Sequence, residues 1–190
     1  MKKSVGAKEL IFPNPVFVVG TYDEHDMANA ATFAWAGIAS SGPKAVSVAV
    51  RPSRYTYENL ILKKAFTVNL PSAEHASEAD YFGIVSGRDE DKFARTGLTP
   101  IKGDFVDAPL IEEFPYNMEC VVSKVIELGA HILFIGEIKD IKVSENLIDE
   151  NGHLTFMKAG ILAYDNADMV YRTSGKIVAK GFSAGKKFFD

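Results

Sequence analysis

Tyr116–Leu128 (YNMECVVSKVIEL) and His131–Val143 (HILFIGEIKDIKV) are two long apolar runs separated only by Gly129-Ala130. In the second run Ile132, Phe134, Gly136 and Ile138 fall on one face of an extended chain, because side chains of a strand alternate with a period of two. Two such runs joined by a glycine turn read as an antiparallel hairpin with one buried face. Outward from this pair, residues 15–21, 30–36, 45–50 and 65–70 are shorter stretches rich in Val, Ile, Phe and Thr, each read as a strand. The expected fold class is mainly β (α+β): an antiparallel sheet with short peripheral helices.

Residues 56–63 place Tyr57, Leu60 and Ile61 on one helical face, with Ser53 or Thr56 as the N-cap. Residues 72–82 follow Pro71, carry Glu74 in the first turn and stop before Gly83, the expected C′ residue. A short turn over 89–94 closes at Thr96-Gly97, whereas 98–115, with its three prolines, reads as an irregular excursion. No repeat, low-complexity tract or linker interrupts the chain, so one domain over 1–190 is expected.

The 190 residues are 47% hydrophobic and carry 21 Lys plus Arg against 25 Asp plus Glu, a net charge of -4. A chain of this size builds a core without disulfides or structural metals. Its acidic balance argues against nucleic-acid and anionic-membrane partners, which bind through Lys and Arg that displace counterions. The single cysteine, Cys120, rules out an intramolecular disulfide, fits a reducing compartment and sits in an apolar strand where a thiol acts as a small core hydrophobe. Met1-Lys2-Lys3 leads into a mixed stretch unlike a signal peptide, and no apolar run of about 18 residues occurs. A cytoplasmic location without membrane contact is the expectation.

Hydrolytic chemistry finds no support. His25, His75, His131 and His153 lack metal-ligand spacing, and neither a nucleophile elbow nor a standard nucleotide-binding glycine fingerprint is present. Three segments combine polar or cationic groups with an aromatic: Asn29-Ala30-Ala31-Thr32-Phe33-Ala34-Trp35, Arg51-Pro52-Ser53-Arg54-Tyr55-Thr56 and Ser86-Gly87-Arg88-Asp89-Glu90-Asp91-Lys92-Phe93. A phosphate dianion needs positive charge and directional donors, which Arg51, Ser53, Thr56 and Lys92 offer. An aromatic ring system needs apolar faces and a few edge hydrogen bonds, which Trp35, Asn29 and Thr32 offer. Each residue also has a plainer role: a solvated charge for Arg51 and Lys92, helix capping for Ser53 and Thr56, core or interface packing for Trp35, a surface turn for Ser86. Residues alone thus support a β-rich domain that binds a phosphorylated aromatic cofactor or none.

With these segments in this order, and with Asp107-Ala108-Pro109-Leu110-Ile111-Glu112 and Gly129-Ala130-His131 further on, the sequence resembles the flavin reductase-like, FMN-binding split-barrel family, and within it the flavoredoxin-type members. The resemblance implies a six-stranded antiparallel split β-barrel, usually a homodimer with FMN near the subunit interface. It puts Asn29, Thr32 and Trp35 beside the flavin and the strand Val48, Ala49, Val50 along the isoalloxazine edge. Arg51, Ser53 and Thr56 surround the phosphate, and Ser86 and Lys92 make further phosphate or ribityl contacts. Arg88 and His131 are held apart, the first as a partner of Asp89 or Asp91 and the second as a strand-end structural residue.

No catalytic side chain and no metal is implied, because a flavin carries its own redox chemistry. The implied function is an FMN-dependent oxidoreductase whose cofactor takes electrons from NAD(P)H or a redox-protein donor and passes them to free flavin, a metal complex or a protein acceptor. The alternative is a non-catalytic electron-transfer flavoprotein, favoured by the lack of a visible NAD(P)H motif. A pyridoxamine phosphate oxidase-like enzyme shares the barrel, but its basic substrate-binding pattern is not found. Tyr55, Tyr164, Tyr171, Phe188 and Phe189 are candidate interface aromatics, and residues 175–189 read either as an arm crossing to a partner or as a tail.

Overall fold

The computed structural model describes residues 1–189. The hairpin that decides the sequence reading forms as expected. It follows β1 (Asn14–Pro15), β2 (Phe17–Tyr22), β3 (Ala28–Phe33), β4 (Ala36–Ser41), β5 (Lys44–Val50), β6 (Ala65–Leu70), β7 (Pro100–Lys102) and β8 (Pro109–Ile111). Its strands β9 (Tyr116–Leu128) and β10 (His131–Val143) pair antiparallel along their whole length. They sit at the middle of an antiparallel sheet ordered β3-β2-β6-β9-β10-β5-β4. After them come β11 (Leu162–Asp165) and β12 (Val170–Thr173), which form a second sheet with β1.

The sheet has seven strands, not six, and its end strands β3 and β4 do not pair with each other. The added strand is β4. Its Ala-Gly-Ile-Ala-Ser-Ser sequence is largely exposed at the sheet edge and so lacks the apolar alternation that marks a buried strand. The stretch 30–36, expected as one strand, is split at Ala34-Trp35 between β3 and β4. The excursion 98–115 also holds structure: β7 and β8 pair, each opening on a proline, where the missing N–H is tolerated.

Strand β2 is buried on both faces. Phe17 and Val19 point into a cluster with Val46, Val48, Val50, Phe66, Met118, Cys120 and Phe134, enclosed by the curled sheet. Val18, with Val16 just ahead of the strand, points the other way, toward Ala79, Phe82, Phe93, Ile111 and Phe114, beneath the helices. Burying a side chain such as Phe66 or Phe134 contributes about 1.5–3 kcal/mol, and both are essentially sealed. Burial also pushes the Cys120 thiol up to about 12, in keeping with its reading as a core hydrophobe.

Helix α1 (Tyr55–Lys63) is capped neither by Ser53 nor by Thr56; its N-cap position is Arg54, which makes no side-chain capping bond. Helix α2 (Ala76–Ile84), entered by a 3-10 turn at Ala73–His75, runs past Gly83 instead of stopping before it. A Cβ at Gly83 would lie 3.5 Å from Thr32 Cβ, so this helix packs closely on β3. Helix α3 (Lys92–Thr96) starts at Lys92 rather than 89, because the Asp91 side chain accepts from Ala94 N at 3.0 Å and fixes the cap there. A short α4 (Phe156–Ala159) precedes β11. No helix among the described residues is long and apolar enough to cross a membrane. At the outer end of the hairpin Val125, Ile126 and Leu128 are exposed, as are Ile61 and Leu62 of α1. The stretch 175–189 is exposed, with a 3-10 turn at Ala184–Phe188.

The ladder between β9 and β10 shifts register between Ile135 and Gly136. A Cβ built at Gly136 would sit 2.3 Å from Phe66 Cζ and 3.1 Å from Cys120 Cβ. Gly136→Ala is therefore expected to destabilise the fold by about 1–3 kcal/mol through overpacking. The check is a lowered urea midpoint with an unchanged slope.

Candidate functional site

A pocket of about 790 Å3 opens where the sheet meets α2 and the β11–β12 hairpin, within the roughly 300–1,000 Å3 of small-molecule sites. Thr32, Phe33, Ala34, Trp35, Ala49, Arg51, Arg54 and His131 line it from the sheet and the turn ahead of α1. Gly83 and Ile84 line it from α2, with Asp80; Tyr164, Met169 and Tyr171 line it from the hairpin, with Val16 and Glu9 from the N-terminal side.

The structure brings Thr32, Trp35, Ala49 and Arg51, of the residues expected from sequence, into the lining. The Thr32 hydroxyl donates to the Ala79 carbonyl and so ties β3 to α2. Arg51 Nε lies 3.4 Å from His131 Nε2 and donates to it, so His131 belongs to the pocket wall and is more than a strand-end residue. Val48 and Val50 offer the pocket no side chain. Their side chains are in the sealed core, because only alternate residues of β5 face outward, and Ala49 is the outward one.

Asn29 and Thr56 lie behind the lining, where Asn29 Nδ2 donates to Thr56 Oγ1 at 3.3 Å and both are buried. Asn29 Oδ1 is buried without a partner among the described residues. A Cβ at Gly87 would fall 2.1 Å from that oxygen, so only glycine lets the loop at 86–88 close over Asn29. Ser53 and Ser86 stand outside the lining. The Ser53 carbonyl accepts from Arg88 Nη1 at 3.0 Å, and Ser86 Oγ accepts from Arg88 N at 3.2 Å. Arg88 itself pairs with Glu58 at 2.6 Å and stacks 5.2 Å above the Tyr55 ring, instead of pairing with Asp89 or Asp91.

Lys92 is buried beneath the pocket, not in its wall. Its ammonium donates to the carbonyls of Phe82 at 3.2 Å and Val85 at 3.3 Å, at the end of α2. Burial, and secondarily the charge of Arg54, lower its pKa to about 8. Lys92, Arg51 and Arg54 have no carboxylate ion-pair partner among the described residues, whereas Lys63 pairs with Asp26 and Asp107, Arg88 with Glu58 and Arg95 with Glu90. Unbalanced positive charge is thus concentrated at one side of a pocket walled by aromatic and aliphatic groups. That combination suits an anion attached to a planar ring.

Sequence reasoning missed Arg54, although it lies within the segment Arg51 to Thr56; the turn there is closed by Arg54 N donating to the Arg51 carbonyl at 3.0 Å. It also missed the hairpin residues. Tyr164 and Tyr171, candidate interface aromatics in the sequence, pack against each other with ring centroids 5.4 Å apart and line the pocket. Tyr55, another interface candidate, is half-buried with its hydroxyl donating to Asp23 Oδ2 at 2.9 Å. No group of three or more His, Cys, Asp or Glu side chains suited to a metal ion occurs among the described residues.

A family model described as the flavin reductase like domain matches residues 9–171. Among solved structures, the flavoredoxin of Desulfovibrio vulgaris (Miyazaki F) is 44% identical, with 98% of this chain and all of that one covered and a TM-score of 0.94. The flavoredoxin from Methanosarcina acetivorans is 28% identical over 98% of each chain, with a TM-score of 0.91. An uncharacterised protein of Archaeoglobus fulgidus is 32% identical over 134 residues, 70% of this chain and 75% of its own length.

The state of Lys92 has a measurable signature. Its pKa is near 8 in the folded chain against 10.5 for the free side chain, so between these values the unfolded chain holds more protons and stability rises with pH. Relative to Lys92→Met, the unfolding free energy of the flavin-free natural protein is expected to climb as pH increases from about 8 to 10.5, because the difference between the two cancels the opposing titration of the Cys120 thiol, which burial pushes up to about 12. Chemical denaturation across the window reads both.

Proposed function

The chain belongs to the flavin reductase-like domain family, and from that membership we propose that it is an FMN-binding oxidoreductase that cycles electrons through a flavin held in the pocket beside Trp35. The carrying observation is the trio Arg51, Arg54 and Lys92, positive and unpaired around one end of an aromatic-walled cavity. A phosphate monoester dianion answers that excess charge, and the apolar surfaces of Trp35, Ala49 and Ile84 suit a planar ring.

Arg51 and Arg54 would hold the phosphate directly, through the planar donor forks that match phosphate oxygens. Lys92 adds its charge from beneath, and the Asn29–Thr56 pair supports the loop at 86–88 that closes over it. Thr32 orients the ring indirectly by holding α2 against β3, and the hydrophobic surround limits water. Bound FMN supplies one- and two-electron redox chemistry that no side chain of the pocket provides. NAD(P)H or a reduced redox protein is the proposed donor; free flavin, a metal complex or a protein is the proposed acceptor. The likeness to flavoredoxins, at 44% identity in one case, favours a second reading in which the protein carries electrons between proteins without turnover of a small substrate.

A homodimer is proposed as well, with the exposed Val125, Ile126 and Leu128 of the hairpin and Ile61 and Leu62 of α1 as its apolar seam.

The first test incubates the purified protein with FMN, desalts it and records the visible spectrum. Stoichiometric retention is expected, and a folded sample that keeps no flavin defeats the proposal. Anaerobic titration with NADH and NADPH then separates a reductase, which bleaches the flavin and turns over with an acceptor, from a carrier, which does not. Arg51→Ala or Arg54→Ala is expected to remove a charge-assisted hydrogen bond of about 1.5–3 kcal/mol, a loss of about ten- to a hundredfold in FMN affinity. Riboflavin, without the phosphate, is expected to bind the variants and the natural protein alike. Because the phosphate raises the Lys92 pKa from about 8, FMN binding is expected to take up a proton near that pH and to weaken above it. Calorimetry in buffers of different ionisation enthalpy measures the uptake.

A further inference from the structure

The hairpin side of the pocket has a chemistry of its own. Tyr164, Met169 and Tyr171 line it together with Asp80 of α2 and Glu9 of the N-terminal segment. The two tyrosine rings are inclined at 48° with centroids 5.4 Å apart. Tyr171 donates its hydroxyl to Asp80 Oδ1 at 2.9 Å, which fixes that ring against the helix.

Met169 lies at the hairpin turn with φ at +56° and 77% of its surface exposed. Glycine or asparagine adopts this conformation at lower cost, and a bulky residue held there points to a use for its side chain. A thioether packs well against an aromatic ring edge. The charges divide by side as well. Arg51 and Arg54 belong to the sheet side, Glu9 and Asp80 to the hairpin side, and Arg172 of β12 is neutralised locally by Asp165 at 3.1 Å and Asp168 at 3.0 Å.

We propose that the hairpin side of the pocket binds a planar aromatic molecule that carries no negative charge, with Tyr164, Tyr171 and Met169 supplying ring contacts and Glu9 and Asp80 selecting against anions. The proposal rests on the flavin reading in assigning the sheet side to a phosphate-bearing cofactor, and it deepens that reading by naming the class of molecule next to it. A nicotinamide dinucleotide would bring its diphosphate toward two carboxylates here, so this side suits a neutral or cationic electron acceptor.

The test uses three probes built on one ring: quinoline, which is neutral at about pH 8, N-methylquinolinium and quinaldate. Each is titrated by calorimetry into the FMN-loaded protein and into the flavin-free protein. Quinoline and N-methylquinolinium are expected to bind, with quinaldate about tenfold weaker, in proportion to the repulsion from like charge. Met169→Gly, which the turn accommodates, is expected to weaken the two bound probes about fivefold without releasing FMN. Asp80→Asn, which still accepts from Tyr171, is expected to narrow the gap between cation and anion. Quinaldate binding as tightly as quinoline, absence of binding by all three probes, or unchanged binding in both Met169→Gly and Tyr164→Ala overturns the proposal while the visible spectrum still shows bound flavin. Loss of flavin from the natural protein overturns the proposed function instead, and the flavin-free titration still decides the hairpin side.

Discussion

One buried ammonium governs the arrangement of the pocket. Lys92 places its charge under the end of α2, where the carbonyls of Phe82 and Val85 receive it and the negative end of the helix dipole offsets part of the desolvation. The helix is fixed at three points: Lys92 below its end, Thr32 at the Ala79 carbonyl, and Tyr171 at Asp80. Each point belongs to a different element, so α2 is the piece through which α3, β3 and the β12 strand of the second sheet are held in register. Moving it would displace Gly83 and Ile84 from the wall and lift the loop at 86–88 from Asn29.

The same economy explains why the cavity lies outside the curled sheet. Phe66, Phe134, Val48 and Val50 fill the interior, and interiors at native density leave no room for a ring system. A ligand is therefore confined to the outer face, where β5 presents Ala49 and the turn after it presents Arg51 and Arg54. The small side chain at 49 gives access to the strand backbone, while the valines on either side anchor that strand from within.

Much of this was legible in the sequence, and the failures have physical causes. The β9–β10 hairpin showed because its period-two alternation continues over many residues, whereas β4 hid because an exposed edge strand of Ala, Gly and Ser has nothing to alternate. Parity along β5 was readable in principle: Val48 and Val50 share one face, and naming the strand as a unit obscured that only Ala49 looks outward. Lys92 could be recognised as a cation near a phosphate, yet not as a buried one, since burial depends on carbonyls at the end of α2 that lie ten and seven residues earlier in the chain. The hairpin wall was out of reach for a similar reason. Tyr164 and Tyr171 meet α2 only through tertiary packing, and nothing local distinguishes them from interface aromatics.

Cys120, with none of its surface exposed and its thiol pushed up to about 12, gives the molecule a built-in reporter. As the one cysteine in the chain, at the centre of the sheet beside Phe66, it becomes reactive only when the core opens. Alkylating reagents added to the native protein would therefore modify it only through global opening, at a rate set by the population of the open form and the reagent's own reactivity. The fold carries its own chemical clock for unfolding, one that needs no introduced label and leaves the pocket untouched.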